Sequence, residues 1–121
     1  PDFLPVSVAE PAEVRTFWSG WLAWSRDRGI DYYIGRTLAS RLAAHGLEEI
    51  GGAAETAVYN GGSRWADYWQ QTITELRSDL VQSGELNDAL IDAFLAHCAN
   101  LNWWTQTIAF TAVHARAPGS S

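Results

Sequence analysis

Thr105-Gln106-Thr107-Ile108-Ala109-Phe110-Thr111-Ala112-Val113-His114-Ala115-Arg116-Ala117 is the stretch on which the fold turns. Successive side chains of a strand point to opposite faces. Ile108, Phe110 and Ala112 therefore share one face, and Ala109, Thr111 and Val113 the other. Neither face is charged until His114 and Arg116. A strand apolar on both faces is a central strand, covered on both sides. One other stretch reads as a strand. It lies within 47–59, where Glu55-Thr56-Ala57-Val58-Tyr59 alternates and Gly51-Gly52 permits a bend or bulge. Two strands alone are marginal in water. The expectation is a strand pair whose sheet is completed by strands that this chain does not supply.

The rest reads as helix. Pro11 suits a first helical position and Glu13 the positive end of the dipole, so a helix is predicted over 11–27. Its apolar stripe is Val14, Phe17, Trp18, Trp21 and Leu22, and it ends before Gly29. A second helix is predicted over 34–45, with Ile34, Leu38 and Leu42 on one face and Gly46 as its stop. Asn60-Gly61-Gly62-Ser63 is a turn, and Ser63 caps a third helix over 64–82. That helix carries Trp65, Trp69, Ile73, Leu76 and Leu80 on one stripe and stops at Gly84. Asn87 caps a fourth, with the stripe Leu90, Ile91, Phe94, Leu95 and Cys98. Residues 1–9, with Pro1 and Pro5, read as extended. The class is α+β, about four helices and a strand pair.

A length of 121 residues fits one domain. The net charge is −6, and every basic residue is a scattered Arg. Nucleic acid demands a clustered positive face, so it is not an expected partner. No stretch is long enough to span a bilayer, so no membrane partner is expected either. Pro1-Asp2-Phe3-Leu4-Pro5 lacks the basic and apolar regions of a signal peptide, and a start without Met reads as a processed or truncated piece. The single cysteine, Cys98, leaves no internal disulfide and fits a reducing cytoplasm.

Seven tryptophans are many for so short a chain. Trp18, Trp21 and Trp24 lie three apart, Trp65 and Trp69 four apart beside Tyr68, and Trp103 and Trp104 are adjacent. Any one of them reads first as core. Together, on separate segments, they read as walls around a flat or greasy ligand. Trp21, Trp24, Tyr32 and Tyr33 bracket the connection after the first helix; Tyr59, Trp65 and Trp69 bracket the 60–63 turn. These seven are the candidate substrate-binding residues. Trp24 and Tyr33 fall off the apolar stripes and are the first choices among them.

Gly35-Arg36-Thr37-Leu38 runs into Leu42-Ala43-Ala44-His45-Gly46-Leu47; Tyr59-Asn60-Gly61-Gly62-Ser63, Tyr68-Trp69, Trp103-Trp104 and Ala115-Arg116 follow. This series resembles the C-terminal part of bacterial class I S-adenosylmethionine-dependent methyltransferases of the small-molecule type, over nearly the whole chain. Pro1-Asp2-Phe3 looks like the segment just past that family's fifth strand. The resemblance implies a seven-stranded Rossmann-like sheet, its last strand antiparallel between the fifth and sixth. It implies that 1–121 is a partial domain, the substrate-side half, covering the acceptor site for a small aromatic or apolar metabolite. The family's glycine-rich loop and ribose-binding acid are absent, so S-adenosylmethionine would serve the complete protein and not bind this chain. An unpaired sheet edge would favour a homodimer.

Methyl transfer mainly needs positioning and a dry pocket, with a base only for an acceptor that must lose a proton. No catalytic residue is assignable; Asp2, Tyr33, His45 and His114 are candidates for a base by type alone. His45, His97 and His114 are far apart, and His97 and Cys98 point different ways on a helix, so no metal is expected. Cys98 reads as core, His45 as a helix C-terminal partner, and Glu48, Glu49, Asp88 and Asp92 as solvated. Two alternatives stand beside the enzyme fragment. One is a stand-alone Trp-lined small-molecule-binding module. The other is an assembly domain completed by a partner chain. A glycine-rich strand–loop–helix encoded upstream of Pro1 would favour the first reading. Tight ligand binding by the chain alone would favour the second, and a stable hetero-complex the third.

Overall fold

The computed structural model describes residues 11–106 and 109–119. Expectations for residues 1–9, for Asp2 as a base and for Ile108 lie outside the described residues. The order is α1 (Ala12–Asp27), α2 (Ile34–Ala44), β1 (Glu48–Thr56), β2 (Tyr59–Asn60), α3 (Arg64–Gln82), α4 (Asp88–Ala99), β3 (Trp104–Thr105) and β4 (Ala109–Arg116). The class is α+β. β1 pairs antiparallel with β4, and β2 with β3.

The helix ends follow local chemistry. Gly29 (φ 81°) follows α1 in the left-handed region, where the amide of Gly29 donates to the Arg26 carbonyl and that of Ile30 to the Ser25 carbonyl. Gly46 (φ 81°) closes α2 in the same way, with Leu47 N–H donating to the Leu42 carbonyl. These paired bonds satisfy carbonyls that a helix end leaves open. Ser63 accepts from the Ala66 amide at the start of α3, and Asn87 from the Leu90 amide at the start of α4.

α1, α3 and α4 share one core. Phe17 stacks on Phe94 at 4.1 Å, and Trp18 meets Trp69 edge-on at 4.9 Å. Ile73, Leu80, Ile91 and Cys98 fill the space between the helices. Two polar ties cross the bundle. His97 Nε2 lies 2.9 Å from Glu13 Oε1, joining α4 to α1. Arg77 of α3 donates to both Asp88 and Asp92 of α4, at 2.8 and 2.7 Å.

The α2–β1–β4 layer is built differently. α2 and β1 contribute no buried residue, and β4 only Ala109. Thr111 and Val113 are half-covered and Thr111 meets α2 at Gly35, whereas Phe110, Ala112 and His114 are exposed. The sequence predicted a strand covered on both faces. Among the described residues β4 has one neighbour, β1, and one partly covered face. The ties to the helical core are slender, Phe110 standing 5.8 Å from Trp65 across a tilted ring contact.

Two boundaries differ from the sequence reading. The alternation over 55–59 predicted a strand there, yet the ladder starts at Glu48 and stops at Thr56, and Tyr59–Asn60 pairs elsewhere. The reason is close approach rather than pattern. A Cβ on Gly52 would collide with the Ala112 carbonyl, so Gly52 lets β4 come near. The register shifts between Glu48 and Gly51, where Glu49 has φ 51°.

Candidate functional site

Among the described residues a concavity lies on the outer side of α1. Ser19, Leu22 and Arg26 recur at helical spacing and form its floor. Gly29 turns the chain back, and Gly29 to Tyr33 form the opposite wall around about 540 Å³. That size suits a small ligand. Asp31 Oδ1 accepts from the Tyr33 amide at 2.8 Å, which orders the wall. Tyr32 is half-buried and packs against the core; Tyr33 is 40% exposed. The Arg36 guanidinium sits 4.5 Å from the Tyr33 ring centroid and packs on that ring.

Leu22 and Ile30 supply apolar walls, and Arg26 and Asp31 supply opposite charges. The Arg26 guanidinium forms no ion pair among the described residues, in contrast to Arg28, which lies 3.8 Å from Asp79 and 4.6 Å from the Trp24 ring. Asp31 likewise forms no ion pair among them. The groove thus holds an aromatic wall, an aliphatic floor and two charges that do not neutralise each other by contact.

Of the seven aromatic residues singled out from sequence, Tyr32 and Tyr33 line this groove. Trp21, Trp24, Tyr59 and Trp69 are buried in the core. Trp65 is partly buried between Tyr59, at 6.3 Å, and Phe110. So the tryptophans do not form a wall with the two tyrosines. Trp24 in particular was expected off the apolar stripe. It lies on it, 5% exposed and 5.4 Å from Trp21, because the buried face of α1 is broad enough to reach Ser25. Leu22, set on the core stripe, packs against the core and also bounds the groove. Ser19, Arg26, Ile30 and Asp31 were not foreseen. The spacing of 19, 22 and 26 was the available signal.

The candidates for a base stand apart. Tyr33 is in the groove wall; His45 Nδ1 lies 2.8 Å from the Arg41 carbonyl at the end of α2; His114 lies opposite Gly51 in the ladder. Cys98 is 1% exposed, and burial pushes its thiol up to about 12, which keeps it from acting as a nucleophile. No group of three His, Cys, Asp or Glu side chains among the described residues could hold a metal ion. Glu49 pairs with Arg116 at 3.1 Å, both exposed.

The glycine pairs do not fit the adenosyl cofactor. Their space is taken by the chain itself: Gly52 faces the Ala112 carbonyl and Gly61 the Asn100 carbonyl. Neither borders an open cradle, and the sequence holds no GxGxxG. No helix of the described residues is long and apolar enough to cross a membrane. Comparison with known proteins adds no relative: no family pattern, no curated protein and no solved structure matches the chain.

Proposed function

We propose that the chain is the acceptor-side portion of an S-adenosylmethionine-dependent methyltransferase for a small aromatic or apolar metabolite, working in the cytoplasm. One observation carries the reading. The α2–β1–β4 layer is helix, strand and late antiparallel strand, in the order expected for the end of a Rossmann-like methyltransferase sheet, and it has almost no core of its own. Such a layer belongs to a larger sheet. The groove beside Tyr32 and Tyr33 is the acceptor seat in this reading, and the packed helices α1, α3 and α4 are its scaffold. Of the candidate bases among the described residues, Tyr33 stands at that seat. Among the described residues β1 and β4 each have one edge without a strand neighbour, and there further strands, or a second copy in a homodimer, would pair.

The cofactor tests it. Titration calorimetry of S-adenosylmethionine into this chain should give no micromolar binding. Binding should return when the chain is joined to an upstream segment containing a glycine-rich strand–loop–helix. Micromolar binding to 1–121 alone would overturn the division of labour.

The alternative, a stand-alone Trp-lined binding module, draws less support, since Trp18, Trp21 and Trp69 pack on one another and on Phe17 and Phe94.

A further inference from the structure

We propose that the α1 groove selects a planar aromatic carboxylate that also carries a hydroxyl or amine donor. The inference rests on the reading of Tyr32 and Tyr33 as an acceptor seat and adds the chemical class that the seat accepts. Three observations combine. First, the walls are flat or greasy. The Tyr33 ring, packed by Arg36 at 4.5 Å, lines the groove together with Leu22 and Ile30. A planar ring gains most from such walls. Second, Arg26 has no carboxylate partner among the described residues, in a chain rich in carboxylates. Its planar fork matches a carboxylate in two parallel hydrogen bonds. Arg26 also lies in the last turn of α1, which accounts for a cation there, but that role does not use the fork. Third, Asp31 lines the same groove without touching Arg26. Its Oδ1 is engaged by the Tyr33 amide, and the carboxylate keeps acceptor capacity for a donor on the ligand. A molecule with an acid at one edge and a donor at another bridges the two charges.

The chain as a whole repels anions, with a net charge of −6. General electrostatic attraction would therefore favour cations, and uptake of an acid in preference to its neutral analogue reports on Arg26 itself. Ser19 adds little to the choice, since its hydroxyl donates to the Arg15 carbonyl at 3.1 Å.

The test uses the 121-residue chain in solution, with salicylate, benzoate and phenol as probes, followed by amide and arginine side-chain NMR shifts. Salicylate should saturate, with shifts confined to Ser19–Arg26 and Gly29–Ile34 amides and the Arg26 Nε–H. It should bind at least about tenfold more tightly than phenol, with benzoate between them, as expected when a charge-assisted fork is gained. Arg26→Gln should remove most of the salicylate advantage and leave phenol within about twofold, as expected when one ion pair alone is lost. Arg26→Lys should restore part of it, and Asp31→Asn should bring salicylate and benzoate together. Arg26 is exposed, so these variants should fold, and unchanged remote amide shifts would verify it. Equal binding of phenol and salicylate, an Arg26→Gln variant that binds salicylate as before, or shifts mapping elsewhere would each overturn the proposal. None of these depends on the cofactor, so their failure leaves the methyltransferase reading to its own titration.

Discussion

At the scale of the residue, burial separates two aromatic side chains that the sequence ranked together. Trp24 is 5% exposed and Tyr33 is 40% exposed. Trp24→Ala should cost about 3–5 kcal/mol of stability, the usual loss for a core Trp. Tyr33→Ala should cost no more than about 0.5 kcal/mol, the usual range for a surface change. Urea unfolding midpoints would check both, and equal losses would mean that Tyr33 is part of the packing. Dense aromatic packing has a cost of its own. The ring N–H groups of Trp21, Trp24 and Trp103 are buried without a hydrogen-bond acceptor among the described residues, and the Ser25 hydroxyl is buried without a partner among them. The Glu13–His97 pair makes a second prediction. The hydrogen bond from His97, and then one from its own backbone, hold the Glu13 carboxyl below its ordinary 4.5. A carboxylate depressed in the folded state stabilises above its unfolded value, and that stabilisation is lost as the pH falls through the folded one. Stability should therefore decline on the acid side, below about pH 4.5, and Glu13→Gln should flatten that limb. An unchanged slope in the variant would show that other carboxylates set it.

At the scale of the element, Gly61 ties the β2–β3 ladder to the end of α4. Its amide donates to the Trp103 carbonyl, and a Cβ there would collide with the Asn100 carbonyl. Gly61→Ala should destabilise by about 1–3 kcal/mol, the usual cost of overpacking. A neutral result in thermal unfolding would mean that the 97–103 turn yields freely. The helices were legible because each carries its own signals: stripes at helical spacing, Ser63 and Asn87 at starts, and Gly29, Gly46 and Gly84 after ends. The strands were less so. β1 is Glu48-Glu49-Ile50-Gly51-Gly52-Ala53-Ala54-Glu55-Thr56, nearly free of β-branched residues, and pairing with β4 rather than propensity makes it a strand. The antiparallel β1–β4 partnership was foreseen, whereas the short β2–β3 ladder was not. Of the groove, Tyr32 and Tyr33 were visible in the sequence. Arg26 and Asp31 were not, because a single charge on a polar helix face or in a connection reads as solvated until the return of 29–33 over α1 is known.

At the scale of the whole molecule, a well-filled helical core sits beside a thin α2–β1–β4 layer. Among the described residues β1 and β4 each keep an edge without a strand neighbour, and Phe110 is exposed, features that would favour pairing with another chain in the proposed reading. Sedimentation at micromolar concentration should find a homodimer, and a variant with Lys in place of Ala112 should be monomeric. A stable monomer of the unaltered chain would instead mean that the thin layer needs no partner. The aromatic core has a further, optical consequence. Trp18, Trp21, Trp24 and Trp69 form a chain of rings with successive centroids 4.9 to 6.4 Å apart. Indoles this close share excitation before any of them emits, and their transitions couple. The folded protein should therefore emit depolarised light and carry a split band in its circular dichroism, while Trp104, 61% exposed, emits to the red of the group. Each molecule thus carries its own spectral ruler, with which loosening of the bundle can be followed without an added dye.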